Sequence, residues 1–331
     1  MDTLRSHLME GPTAMSTLRT AALGLLTAGL FSLGGQPAPG LAADPRPATG
    51  NPVQLTSGFY VDPNSKPAVY VKRHPGETEI KTKIADRAGG RWFGAWSGDI
   101  KAAVTAFTTA ADRADKLPIL VADNIPGGDC GSGAGTPAAY REWIAKFADG
   151  IGNRPAVVVI EPDALAQLDC LPENQRQVRI DLLKYAANQL ATKARNTWAY
   201  MDGGNTNWIE AAEMARRLRL VDVGKLRGFA LNASSYYTIE QSVTKGNAIR
   251  TALGGGTQFV VDTSRNGNGS NGEWCNPAGR KLGVPSQVGG GADLLLWLEV
   301  PGDSDGDCGI GKGIPAGTFS ATLAKRLIAG T

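Results

Sequence analysis

Four consecutive branched residues, Val157-Val158-Val159-Ile160, make a strand with no polar face, so both of its sides must be covered. Similar apolar runs recur, with helical patterns between them. Candidate strands fall at 57–61, 91–93, 118–122, 156–160, 197–201, 228–232, 258–262 and 294–300. Candidate helices fall at 100–114, 138–151, 173–195, 208–218 and 239–253. Strand–helix alternation over about 280 residues predicts an α/β fold, either a parallel β/α barrel or a doubly wound sheet. No internal repeat and no shift in composition cuts out a second domain.

The ends and the charge narrow the class. Residues 1–43 read as a secretory signal: Arg19 precedes the apolar run Ala21–Phe31, and Ala42 and Ala43 offer a cleavage point. That run is about half of what a spanning helix needs, so no membrane anchor is predicted. Residues 44–54 then form a Pro-rich linker and 55–331 a single catalytic domain. With 34 basic against 31 acidic residues the chain has no basic stripe, which argues against nucleic acid and for a neutral partner. There are two histidines, and His7 lies in the leader. A histidine-rich metal site is therefore excluded, and a Ser-His-Asp arrangement would rest wholly on His74. Neither metal nor cofactor is expected, and acid–base chemistry falls to carboxylates. Gly267, Gly269 and Gly272 satisfy G-x-G-x-x-G, but Trp274-Cys275-Asn276-Pro277 follows where a nucleotide site needs a helix.

Export would place four cysteines in an oxidising compartment. Three pairings are possible, and the nearest-neighbour loops, Cys130–Cys170 and Cys275–Cys308, are favoured.

The aspartates are the informative pattern. Asp123, Asp163, Asp202 and Asp262 end or closely follow strands, Asp129 lies six residues beyond Asp123, and Asp305 lies just past 294–300. In a parallel barrel these ends converge on one rim, where crowding raises carboxyl pKa values. The competing reading makes each a helix N-cap. Trp92, Trp208 and Trp274 lie beside the same strand ends, and flat rings next to carboxylates suit a sugar. Trp297, inside an apolar strand, reads as core.

Six segments in order carry a resemblance: 118–130 (PILVADNIPGGDC), 157–163 (VVVIEPD), 200–208 (YMDGGNTNW), 261–267 (VDTSRNG), 273–277 (EWCNP) and 297–306 (WLEVPGDSDG). Over 58–327 the chain resembles the secreted β-1,4-glucanases of glycoside hydrolase family 6. The resemblance implies a distorted parallel β/α barrel with a cleft at the strand C-termini, and the same two disulfides. It implies an inverting mechanism with Asp163 as general acid, Asp129 keeping that acid protonated, and Asp305 as base through water. Trp92, Trp208 and Trp274 would hold sugars, and Asp202, Asn232 and Asp303 would line the cleft. The chain departs from the family at four cleft positions: Asp123 replaces tyrosine, Gly128 arginine, Asn205 histidine and Glu299 lysine. One ring and up to three cationic or hydrogen-bonding groups are thereby absent, and two carboxylates are added. The expected function is a secreted, monomeric endo-β-1,4-glucanase acting on cellulose, carboxymethylcellulose and mixed-linkage β-glucan. The alternatives are a catalytically weakened glucan-binding relative and an exo-acting cellobiohydrolase.

Overall fold

In the computed structural model, residues 50–128, 130 and 134–331 are described. The predicted signal 1–43, linker residues 44–49 and Asp129 lie outside the described residues. Among those described, eight strands form one curled sheet: β1 (Arg91–Phe93), β2 (Ile119–Ala122), β3 (Ala156–Ile160), β4 (Thr197–Asp202), β5 (Gly228–Leu231), β6 (Gln258–Asp262), β7 (Gln287–Val288) and β8 (Leu294–Leu296). Neighbours run β1-β2-β3-β4-β5-β6-β8-β7, all parallel except the β7–β8 pair. Around the sheet lie α1 (Lys66–Arg73), α2 (Thr78–Ile80, continued by a π turn at Lys81–Ala85), α3 (Ile100–Arg113), α4 (Pro137–Ile151), α5 (Glu173–Lys193), α6 (Ala211–Leu220), α7 (Ile239–Leu253) and α8 (Ala321–Ala329).

Alternation along the strands sorts their side chains into two cores. Ile119, Val121, Val157, Val159, Tyr200, Ala230, Val260, Leu294 and Leu296 pack together inside the curl. Leu120, Ala122, Val158, Ile160, Met201, Phe229 and Val261 face outward onto Phe107, Ile144, Phe147, Leu183 and Leu218 of the helices. This is the distorted β/α barrel predicted above, with strands apolar on both faces because both are buried. Closure is slight. Gly90 N donates to Trp297 O at 2.7 Å, and a side chain at Gly90 would put its Cβ 2.6 Å from Leu298 O.

Two predicted strands shrink. The 57–61 run reduces to a single parallel bridge, Phe59 to Leu117. The 294–300 run stops at Leu296, because the next amides bond to side chains: Trp297 N to Ser286 Oγ, and Leu298 N and Glu299 N to the Asp262 carboxylate. Helices α1, α2 and α8 escaped the sequence reading, and they share a small cluster around Ile80, Ile84 and Ala324. No helix among the described residues is long and apolar enough to cross a membrane.

Candidate active site

Carrying the inward alternation to each strand's last residue, or one past it, builds the rim. Asp123 follows Val121, Asp202 follows Tyr200, Asn232 follows Ala230 and Asp262 follows Val260. The N-cap reading fails for this set: side-chain caps come instead from Ser65, Asp99, Thr136, Thr238 and Ser320. The rim aspartates hold loops and one another.

On the β3–β4 side the chain turns sharply, with Glu161 at φ 48° and Asp163 at φ 66° flanking Pro162. Left-handed backbone is costly for such residues and marks a turn fixed by its surroundings. Asp202 Oδ1 accepts from Asp163 N at 2.9 Å and from Gly204 N at 2.8 Å. Asp202 is wholly buried, and burial followed by the neighbouring Asp163 charge pushes its carboxyl well up. Glu161 Oε2 accepts from Asn124 N and Ile125 N, each at 2.9 Å. Burial, with Asp123 adding, raises the Glu161 carboxyl to about 8. Behind this side, buried Arg179 of α5 donates to the carbonyls of Gly127 (2.5 Å) and Ala164 (3.1 Å). It ties the turn leading toward 129 to the loop after Asp163. Gly128 has open space where a side chain would stand.

On the β6–β8 side the Asp262 carboxylate collects four backbone amides: Ser264 and Leu298 on Oδ1, Ser234 and Glu299 on Oδ2. Burial lifts it to about 6 despite them. Asp305 is held at both oxygens. Buried Arg265 donates to Oδ1 at 2.8 Å, and Tyr236 OH (2.9 Å) and Asn276 N (2.8 Å) donate to Oδ2. The Arg265 guanidinium also lies over the Tyr236 ring at 4.6 Å. Glu299 accepts from Ser234 Oγ at 2.5 Å and from Val300 N. Lys66 Nζ pairs with Asp303 Oδ2 at 2.5 Å. Asn232 donates to Tyr237 O and Asp262 O, knitting β5 to β6.

The aromatic predictions divide. Trp274 is 73% and Trp208 41% exposed, and Gly204 (φ 72°) lets the Trp208 ring lie against it. Trp92 is half-buried, with Nε1 donating to Leu298 O at 2.9 Å. Trp297 is core, as predicted. Asn205 bonds Ser235 Oγ and Asn207 N, away from the carboxylate network. The structure forms both favoured disulfides, Cys130–Cys170 and Cys275–Cys308, with Cα separations of 5.3 and 5.9 Å. The first ties the residue after 129 to the turn beyond Asp163, and the second ties the Asp305 loop to Asn276. No group of metal-ligating residues assembles among the described residues.

Sequence reasoning missed Arg179, Arg265, Tyr236, Asn276 and Trp96. Trp96 is 65% exposed, its ring lying against Gly94 beside the Asp123 carbonyl. A signal existed for Arg265, a charged residue three positions past a buried strand's last polar residue. For Arg179, on a mostly polar helix, there was none.

Comparison with known proteins agrees with this geometry. The model of glycosyl hydrolases family 6 matches residues 56–330. Endoglucanase 1 of Streptomyces halstedii is 47% identical over 301 residues, covering 87% of this chain and 94% of that protein. Endoglucanase A of Cellulomonas fimi is 43% identical, covering 77% of this chain and 58% of that protein. The endoglucanase Cel6 of Mycobacterium tuberculosis, solved with a methyl-cellobiosyl-4-deoxy-4-thio-β-D-cellobioside, superposes with TM-score 0.79 at 39% identity, over 85% of this chain and 99% of that one.

Proposed function

The chain belongs to glycosyl hydrolases family 6 and is a cellulase, and from that premise we propose that it is an inverting endo-β-1,4-glucanase. The observation that carries this reading is the unlike treatment of carboxyls on one rim. Asp202 and Asp163 form a crowded pair able to hold a proton, whereas Asp305 is ion-paired with the buried Arg265. Inversion needs one carboxyl of each kind, about 6.5–9.5 Å apart with a water between.

Asp163 protonates the leaving glycosidic oxygen, its proton kept by the neighbouring Asp202 and by Asp129. Asp305 takes up the proton released by the attacking water through a further water, since both of its oxygens already accept bonds. Trp92, Trp208 and Trp274 hold glucose rings across the rim; Asp123, Asn205, Asn232, Glu299 and Asp303 contact hydroxyls. Residues 1–43 direct export, in keeping with two disulfides. The substrates are cellulose, carboxymethylcellulose and mixed-linkage β-glucan.

Viscosity and reducing ends, followed together on carboxymethylcellulose, test the reading. A steep early viscosity fall, lost in Asp163→Ala, is expected, with the first product formed as the α-anomer. Reducing ends rising at nearly constant viscosity would show exo action. Neither signal, with glucan binding intact, would show a weakened relative.

A further inference from the structure

The Asp303 carboxylate is nearly buried, its side chain 6% exposed, yet its bonding is lopsided. Oδ2 accepts from Lys66 Nζ at 2.5 Å, while buried Oδ1 has no partner. Among the described residues no other side chain donates to it. The same ammonium also donates to Gly317 O at 2.5 Å. Asp303 and Gly317 stand on opposite legs of one loop, joined by the Asp303–Phe319 bridge and by the bonds Ser304 N to Thr318 O and Gly317 N to Ser304 O. That loop carries Asp305. Lys66 opens α1, where the Ser65 cap fixes the backbone from which its stem reaches across.

We propose that Lys66 is a positioning residue for the hydrolysis described above: it cross-braces the 303–317 loop and holds the Asp303 carboxylate beside the base. This rests on the assignment of Asp305 to the base side.

A half-exposed lysine on the surface would ordinarily contribute little. Here one partner is buried with no alternative donor, so loss of the cation strands a charge in low dielectric. The groups facing Asp303 are Glu299, Lys66 and Arg265. Burial and Glu299 push its carboxyl up while Lys66 and Arg265 pull it down, leaving it at about 7. Without Lys66 the carboxyl titrates higher still and stays neutral up to a higher pH. Its charge then no longer helps to order the loop or to set the field at Asp305.

The test compares Lys66→Met, Lys66→Arg, Asp303→Asn and the Lys66→Met/Asp303→Asn double variant in the full chain, on mixed-linkage β-glucan, a neutral substrate. Lys66→Met is expected to move the acidic limb of kcat/KM to higher pH by about one unit, the low end for removing an adjacent opposite charge. Lys66→Arg should restore the limb, and the double variant should behave as Asp303→Asn alone. Melting temperature gives a readout that needs no activity. The pair exists only when Asp303 is ionised, so the loss in Lys66→Met should be small at pH 5 and large at pH 8. A Lys66→Met limb superimposing on the parent's, or a melting loss equal at both pH values, would overturn the proposal. An inactive parent would instead overturn the glucanase reading, and the melting series would still decide the role of Lys66.

Discussion

The two sides of the rim handle charge in opposite ways. Around β3 and β4, Glu161 and Asp202 are buried among backbone amides and other carboxyls and form no ion pair with a described residue. Around β6 and β8, Asp305 and Asp303 are each bonded to a cation, Arg265 or Lys66. Burial raises a carboxyl on either side, and an adjacent cation opposes that rise, as Lys66 does at Asp303. On the proposed reading, a single barrel thus prepares a proton donor and a proton acceptor from the same residue type. Composition alone, with carboxylates on both sides, would not distinguish them.

The sharpest way to break this contrast is to remove the buried cation. Arg265→Met leaves Asp305 without its ion pair and Ser234 O without its donor. Loss of one partner from a buried pair costs about 3–5 kcal/mol, so a comparable drop in unfolding free energy is expected in urea titrations. A drop under about 1 kcal/mol, within the range of a surface pair, would place Arg265 among the peripheral charges.

The opposite side should reveal itself through pH. Glu161 titrates at about 8 folded, against about 4.3 unfolded. The folded state therefore binds the extra proton between those values, and stability is full below about pH 4 and lost as pH rises through about 8. Asp262, at about 6, adds in the same direction. A fall of a few kcal/mol between pH 5 and pH 8 is expected, with Glu161→Gln markedly flatter. Equal slopes in parent and variant would mean that Glu161 is ionised throughout.

Asp202→Asn tests the proton proposed for the Asp163–Asp202 pair. Removing one member of the pair abolishes its upper titration, so the alkaline limb of kcat/KM should move to lower pH. The rate at neutral pH should fall about 100-fold, the lower end of what acid catalysis provides. An unmoved alkaline limb would assign that proton elsewhere.

Much of this contrast was legible in the chain before folding was considered. Continuous apolar runs gave a parallel sheet covered on both faces, the resemblance chose the barrel over a doubly wound sheet, and period-2 counting from Val121, Tyr200 and Val260 reaches Asp123, Asp202 and Asp262. The partners were not legible. Lys66, Arg179 and Tyr236 lie far in sequence from the carboxyls or loops they hold, on helices or loops whose own patterns say nothing of the rim. The early end of β8 has the same origin: amides that a ladder would use are taken by Asp262, a side chain from the neighbouring strand. Local periodicity cannot anticipate such long-range capture.

The smallest expected effect sharpens the contrast at its weakest point, Asp123. This inward-facing carboxyl adds to the field that keeps Glu161 protonated, so it belongs electrically to the proton-holding side. Asp123→Tyr removes that charge and puts a ring at the rim beside Gly94 and Trp96, where the resemblance places tyrosine. Glu161 should then titrate lower, and the parent's fall in stability toward pH 8 should end at lower pH and be smaller. If the missing ring limits turnover, kcat on soluble glucan should rise a few-fold, equivalent to about 1 kcal/mol or less of transition-state stabilisation. Unchanged kcat with a shifted stability profile would assign Asp123 to electrostatics alone. A fall in kcat would mean that this carboxylate has taken on a contact to substrate that the ring cannot make.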